Sequence, residues 1–272
     1  MRRPAIVLVV ALLLALVSGA PPSAGAPCGN AASDCDLRER IAAAEQYLHD
    51  RPGTIGFVLR DRATGATYRN ADAATPIWTA STIKLAMVAD LLTRQQAGAV
   101  TLTDADRRLM VAMLRNSDND AADALWSRFG GPANAFNANF PRYGMPNVVP
   151  QRGFSDVFPY WGFQKATADD LDGLMNYVLA GLRPADAAAV VAEMQRVDPD
   201  QQWGVWGAGP AMAPGNKDGW SQEQGGWVVN SVGFAGPGQR YTLAIMNALG
   251  GEGGYDDGVA TTTQLSRILL AP

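Results

Sequence analysis

Ser81-Thr82-Ile83-Lys84 sets a hydroxyl and an amine three residues apart. The apolar spacing around them predicts a long helix from about Ser81 to Gln96, closed by Gly98. Residues three apart share a helix face, so the amine lies beside the hydroxyl. A partly desolvated lysine loses its proton readily and can take one from the serine. The serine also falls at the helix start, where its backbone N–H has no intrahelical partner and is free to meet a developing oxyanion. Alone the pair is a weak signal, since many solvated helix starts carry it. The scarcity of imidazole gives it weight. The 272 residues hold one histidine, His49, beside the Pro52-Gly53 stop of the first amphipathic helix. A serine–histidine–carboxylate triad needs its imidazole at the nucleophile. Zinc chemistry needs more histidine or thiolate than this chain has. No metal or cofactor is expected, and a base for the serine must be a lysine or a carboxylate.

Those residues need a frame. Leu37, Ile41, Ala44 and Leu48 give residues 36–50 helical spacing, and 54–59 reads as a strand with a hairpin partner at 66–69. Thr103 with Asp106 forms a capping-box pattern opening a helix. Residues 119–129 are helical up to Gly130-Gly131-Pro132, and 141–166, rich in proline, glycine and aromatics, read as one long ordered loop. Helices follow at 167–180 and 184–196, then strands at 227–234 and 241–247 joined by Gly236-Pro237-Gly238, and a closing helix at 257–270. Strands at both ends with helices between predict an α+β fold. One antiparallel sheet is built from both termini and flanked by helices, with an all-helical lobe inserted.

Arg2 and Arg3, the apolar run 5–17 and the small residues after it predict a signal peptide over 1–26. Residues 27–35 are then an N-terminal arm and 36–272 the folded domain. Cys28 and Cys35, the only cysteines, are expected to pair in an oxidising compartment. The rival reading is lipidation of Cys28, against which Pro27 stands. The expected location is secreted or at the cell envelope, with no stable membrane span after cleavage. A net charge of −4 and the lack of a basic stripe argue against nucleic-acid partners.

Two further segments complete a pattern. Ser117-Asp118-Asn119 falls at a helix-to-helix junction, and Lys217-Asp218-Gly219 precedes the 227 strand, on an expected edge strand. Serine-x-x-lysine, serine-aspartate-asparagine and lysine-x-glycine in this order resemble the set carried by class A β-lactamases and penicillin-binding proteins. The resemblance covers about residues 36–270. It implies that Ser81 is acylated, Lys84 is its base and Ser117 relays a proton to the leaving nitrogen. It further implies that Asn119 holds the substrate amide, that Lys217 supplies positive charge, and that the N–H groups of Ser81 and Trp220 form the oxyanion hole. Gly219 and Asp218 fall at its substrate-binding positions.

Three departures stand beside the matches. The loop glutamate that activates the deacylating water in class A enzymes has no counterpart; Asp156 is the one acid between Asp123 and Asp169, and so the candidate deacylation base. Asp218 replaces a hydroxyl residue and, if turned into the cleft, would repel a carboxylate. Only 36 residues separate Ser81 from Ser117, which predicts a more open cleft that Trp161, Trp203, Trp206 and Trp220 are candidates to line. The function expected is an exported serine hydrolase, acylated by β-lactams or related amides and esters, with slow deacylation. A D,D-peptidase acting on peptidoglycan-derived peptides and a non-catalytic binding protein of the same fold are the alternatives.

Overall fold

The computed structural model describes residues 32–131, 134–153, 156–223 and 225–272. The expected leader, most of the arm, Cys28 and its pairing with Cys35 lie outside them. Helix α1 (Ala32–His49) starts four residues before the domain boundary expected at 36. Strands β1 (Thr54–Asp61) and β2 (Thr67–Arg69) form the first hairpin. Late in the chain come β6 (Gly215–Glu223), β7 (Gly226–Ala235) and β8 (Tyr241–Ala248). The sheet runs β2-β1-β8-β7-β6, every pair antiparallel, with Thr54 of β1 opposite Ala248 of β8. The sheet is therefore built from both ends of the chain.

Alternation along the strands divides the core in two. Phe57, Leu59, Leu243 and Ile245 point to α1 and to α8 (Tyr255–Leu270), where Ala44, Leu265 and Leu269 meet them. Val58, Val232, Ala244 and Met246 point the other way, into the helical lobe. Burying each of the larger side chains contributes about 1.5–3 kcal/mol. At the centre of that lobe is α2 (Ile83–Gln96), every residue of which from Ile83 to Leu92 is buried.

Around it stand α3 (Asp104–Arg115), α4 (Asn119–Gly130), α5 (Ala135–Asn139), α6 (Ala168–Ala180) and α7 (Pro184–Met194). Both Thr103 and Thr167 close capping boxes, with Asp106 and Asp170. The stretch expected as one loop carries more structure than that. A turn of 3-10 helix covers Phe140–Tyr143, and a small sheet joins β3 (Ile77–Trp78), β5 (Gln164–Ala166) and β4 (Val149–Pro150), with β5 central. β3 leads directly to Ser81, so this sheet ties the long segment to the serine expected as nucleophile.

Candidate active site

Ser81 sits on a 3-10 turn, Ala80–Thr82, that runs into α2. Asn230 of β7 fixes the turn from below: its Nδ2 donates to the carbonyls of Trp78 (2.8 Å) and Thr79 (3.3 Å). Ala80, just before the serine, is held at φ +45°, a left-handed conformation costly for a residue with a Cβ. Ser81 is half-buried, and its Oγ has no hydrogen-bond partner among the described residues. The Lys84 amine, expected beside it, makes its hydrogen bonds to Ser117 and Asn119.

That amine is fully buried. It donates to the Ser117 carbonyl and to Asn119 Oδ1 (2.6 Å), and lies 3.4 Å from Ser117 Oγ. Burial, reinforced by Lys217, brings its pKa down to about 7; Asp118 and Asp123 oppose the fall. A neutral amine held by two acceptors has both N–H groups engaged and its lone pair free for a hydroxyl proton.

Ser117 joins the two lysines. It lies between α3 and α4 at φ +57°, and the carboxylate of Asp118 caps α4 by accepting from Ala121 N at 2.8 Å. Lys217 Nζ donates to Ser117 Oγ at 2.9 Å and to the Asp218 carbonyl at 2.8 Å. It too is buried, which depresses its pKa. The chain has only three lysines, Lys84, Lys165 and Lys217, and two of them converge on one serine hydroxyl.

The strand that carries Lys217 sorts its neighbours by face. Gly219, two residues on, faces the serine turn so closely that a Cβ there would lie 2.7 Å from Ser81 N and 2.6 Å from Thr82 N. Asp218 and Trp220 fall on the opposite face. The Asp218 carboxyl, read from sequence as a substrate-binding position, is buried behind β6 near Gly204. It lies beside Ser231 and Asn216 without reaching hydrogen-bonding geometry with either, and burial raises its pKa. The alternation that moves it out of the cleft follows from Lys217 facing inward. The Trp220 ring packs with Trp203 and Tyr255 (centroids 5.9 and 5.7 Å), away from the cleft, so the side chain takes no part in it. Asp156 is solvent-exposed, and among the described residues no hydrogen bond or ion pair reaches it.

Asp123, its partner Tyr160 and the placement of Trp161 escaped the sequence reading. Asp123 lies one turn beyond Asn119 on α4, and its Oδ1 accepts from the Tyr160 hydroxyl (2.5 Å) and from Trp161 Nε1 (2.7 Å). The indole of Trp161 in turn lies 4.6 Å from Lys84 Nζ. The i, i+4 spacing of Asn119 and Asp123 was the available signal; the partners 37 and 38 residues away were not readable. Among the described residues no cluster of three or more histidine, cysteine, aspartate or glutamate side chains could hold a metal ion, and no helix is long and apolar enough to cross a membrane.

No family model matches the chain. Proteins named “Putative lipoprotein LppW” from Mycobacterium tuberculosis and Mycobacterium bovis are 32% identical to it over 246 residues, covering 87% of this chain and 75% of theirs. Among solved structures, a β-lactamase from Xanthomonas campestris superposes with a TM-score of 0.70 at 19% identity, covering 86% of this chain and 97% of that one. A β-lactamase from Streptosporangium roseum gives 0.69 at 20% identity, covering 85% and 97%. An ancestral class A β-lactamase gives 0.68 at 20% identity, covering 85% and 98%. At these identities the likeness is one of fold.

Proposed function

Because this chain belongs to the family of the mycobacterial protein LppW and has the serine β-lactamase fold, we propose that it is an extracytoplasmic serine hydrolase acylated at Ser81 by β-lactams or related amides and esters. The observation that carries the reading is Ser117 Oγ, 2.9 Å from Lys217 Nζ and 3.4 Å from Lys84 Nζ, with the Lys84 amine near neutrality.

Lys84 takes the Ser81 proton as Oγ attacks the carbonyl carbon. The N–H groups of Ser81 and Trp220 receive the charge that develops on the carbonyl oxygen. As the C–N or C–O bond breaks, the proton passes from Lys84 through Ser117 to the leaving group, and Lys84 is neutral again. Lys217, charged, donates to Ser117 and attracts a substrate carboxylate. With Asp218 turned behind the strand, its carboxyl does not face the cleft to oppose that attraction. Asp156, exposed and without a partner among the described residues, gives little support for a deacylation base, so the acyl-enzyme is expected to persist. The relative's name as a lipoprotein and the leader-like first 26 residues support action outside the cytoplasm.

Intact-protein mass after incubation with benzylpenicillin tests the reading. The expected result is a lasting one-to-one adduct absent from Ser81→Ala. Neither adduct nor turnover with any β-lactam, amide or ester tried would overturn it, and leave a binding role.

A further inference from the structure

The Trp161 indole closes one side of the Lys84 amine, and it does not hold that place unaided. Asp123 grips it by the ring nitrogen while gripping the preceding residue, Tyr160, by its hydroxyl. Burial and the neighbouring Asp123 raise the Tyr160 hydroxyl well above its ordinary value, so it remains a donor throughout the neutral range. The two donors come from consecutive residues of the segment between β4 and β5, and the acceptor from α4. One turn back on the same helix, Asn119 Oδ1 takes a hydrogen bond from Lys84 itself. A single turn of α4 therefore holds the amine twice, directly through Asn119 and indirectly through the ring.

We propose that Asp123 is a positioning residue for Lys84: its carboxylate clamps Tyr160 and Trp161 so that the indole shuts off one side of the amine and leaves it facing Ser117 and Asn119. The proposal rests on the reading of Lys84 as the base. The charged groups that act on the amine are Lys217 from β6, Asp118 from the turn before α4, and Asp123 itself. Asp123 favours the protonated amine, opposing burial and Lys217. A clamp made of neutral groups would fix the ring equally well but would leave the amine harder to protonate.

With three lysines in the sequence, protein labelled with carbon-13 at lysine Cε gives a spectrum simple enough to follow the Lys84 methylene against pH, assigned by the signal that Lys84→Met removes. Asp123→Ala should release the indole. The ring-current displacement of the Lys84 Hε protons is then lost, and acylation by benzylpenicillin slows about tenfold or more. Asp123→Asn keeps an oxygen acceptor for the indole but not the charge. Its Lys84 midpoint should fall by about 0.5–1 unit, while most of the ring-current displacement remains. An unmoved Lys84 resonance and midpoint in both variants, with only a lower melting temperature, would overturn the proposal. Should Asp123→Ala fail to fold, the Asp123→Asn midpoint decides. Should wild type form no acyl-enzyme, the resonances still report on the clamp, so failure of the hydrolase reading and failure of this one are told apart.

Discussion

Gly219 and Ser81 are in backbone contact across the cleft: the space a side chain would need on the first is filled by the amide of the second. The strand that carries Lys217 is thereby pressed against the serine turn, which is what brings Lys217 within reach of Ser117. Gly219→Ala places a methyl against backbone nitrogens that have no rotamer to retreat to. The expected result is a loss of about 1–3 kcal/mol and a fall in acylation rate of about a hundredfold or more. Urea denaturation and the rate of adduct formation measure the two. A variant with unchanged acylation would show that the contact does not set the geometry.

Ser117 combines a chemical and a conformational demand, and two substitutions separate them. Ser117→Ala and Ser117→Gly both remove the hydroxyl between the lysines and should slow acylation alike, by about 10²–10⁴-fold. Only glycine suits φ +57°. Ser117→Gly should therefore be more stable than Ser117→Ala by about 1 kcal/mol, read by thermal denaturation.

The depressed pKa of Lys84 is also a statement about stability. Unfolded, the amine titrates near 10.5; folded, near 7. Between those values the unfolded chain binds the extra proton, so stability rises with pH across the window, and the cost of burying the lysine is greatest below pH 7. Lys84→Met does not titrate. Measured against it, wild type should lose up to about 4–5 kcal/mol as pH falls from 10.5 to 7. Parallel stability curves for the two proteins would mean that the amine stays charged.

Asp218 contributes with the opposite sign. Burial raises its carboxyl above 3.8, so the folded chain keeps a proton that the unfolded chain gives up. Stability is lost as pH rises from about 4 towards the raised value. Asp218→Asn should flatten that limb and exceed wild type by about 1–3 kcal/mol at pH 8. If it instead abolished acylation while leaving the limb intact, the carboxyl would belong to the cleft chemistry rather than to the layer behind β6.

Elements with strong local chemistry were readable in the sequence. Thr103 with Asp106 and Thr167 with Asp170 start their helices by satisfying otherwise free N–H groups, a rule confined to four residues. The 227 and 241 strands were apolar runs bounded by glycine and proline. By contrast, β6 reads Gly-Asn-Lys-Asp-Gly-Trp-Ser-Gln-Glu, with no apolar alternation, and its place as an edge strand came only from its position just before the 227 strand. The two-residue strands β3 and β4 fall below any pattern, because long-range pairing makes them and local preference does not. The same holds for the site. Spacing could join Ser81 to Lys84 along one helix. It could not show that the amine would turn towards Ser117, nor that Trp161 would cover it under the hold of Asp123, because those contacts belong to the assembled core.

The pairing of β1 with β8 also decides when this site can exist. A chain growing from its N-terminus finishes Ser81, Lys84 and Ser117 long before Lys217, and β1 has no partner but β2 until residues 241–248 arrive. Joining Thr54 to Ala248 closes a loop that takes in nearly the whole lobe, and contacts of such long sequence separation form late. The Ser117 hydroxyl can therefore meet the Lys217 amine only after most of the chain has been made. A chain halted before β8 has the residues of the Lys84–Ser117 contact but lacks the strand that joins β7 and β6, and with them Lys217, to β1.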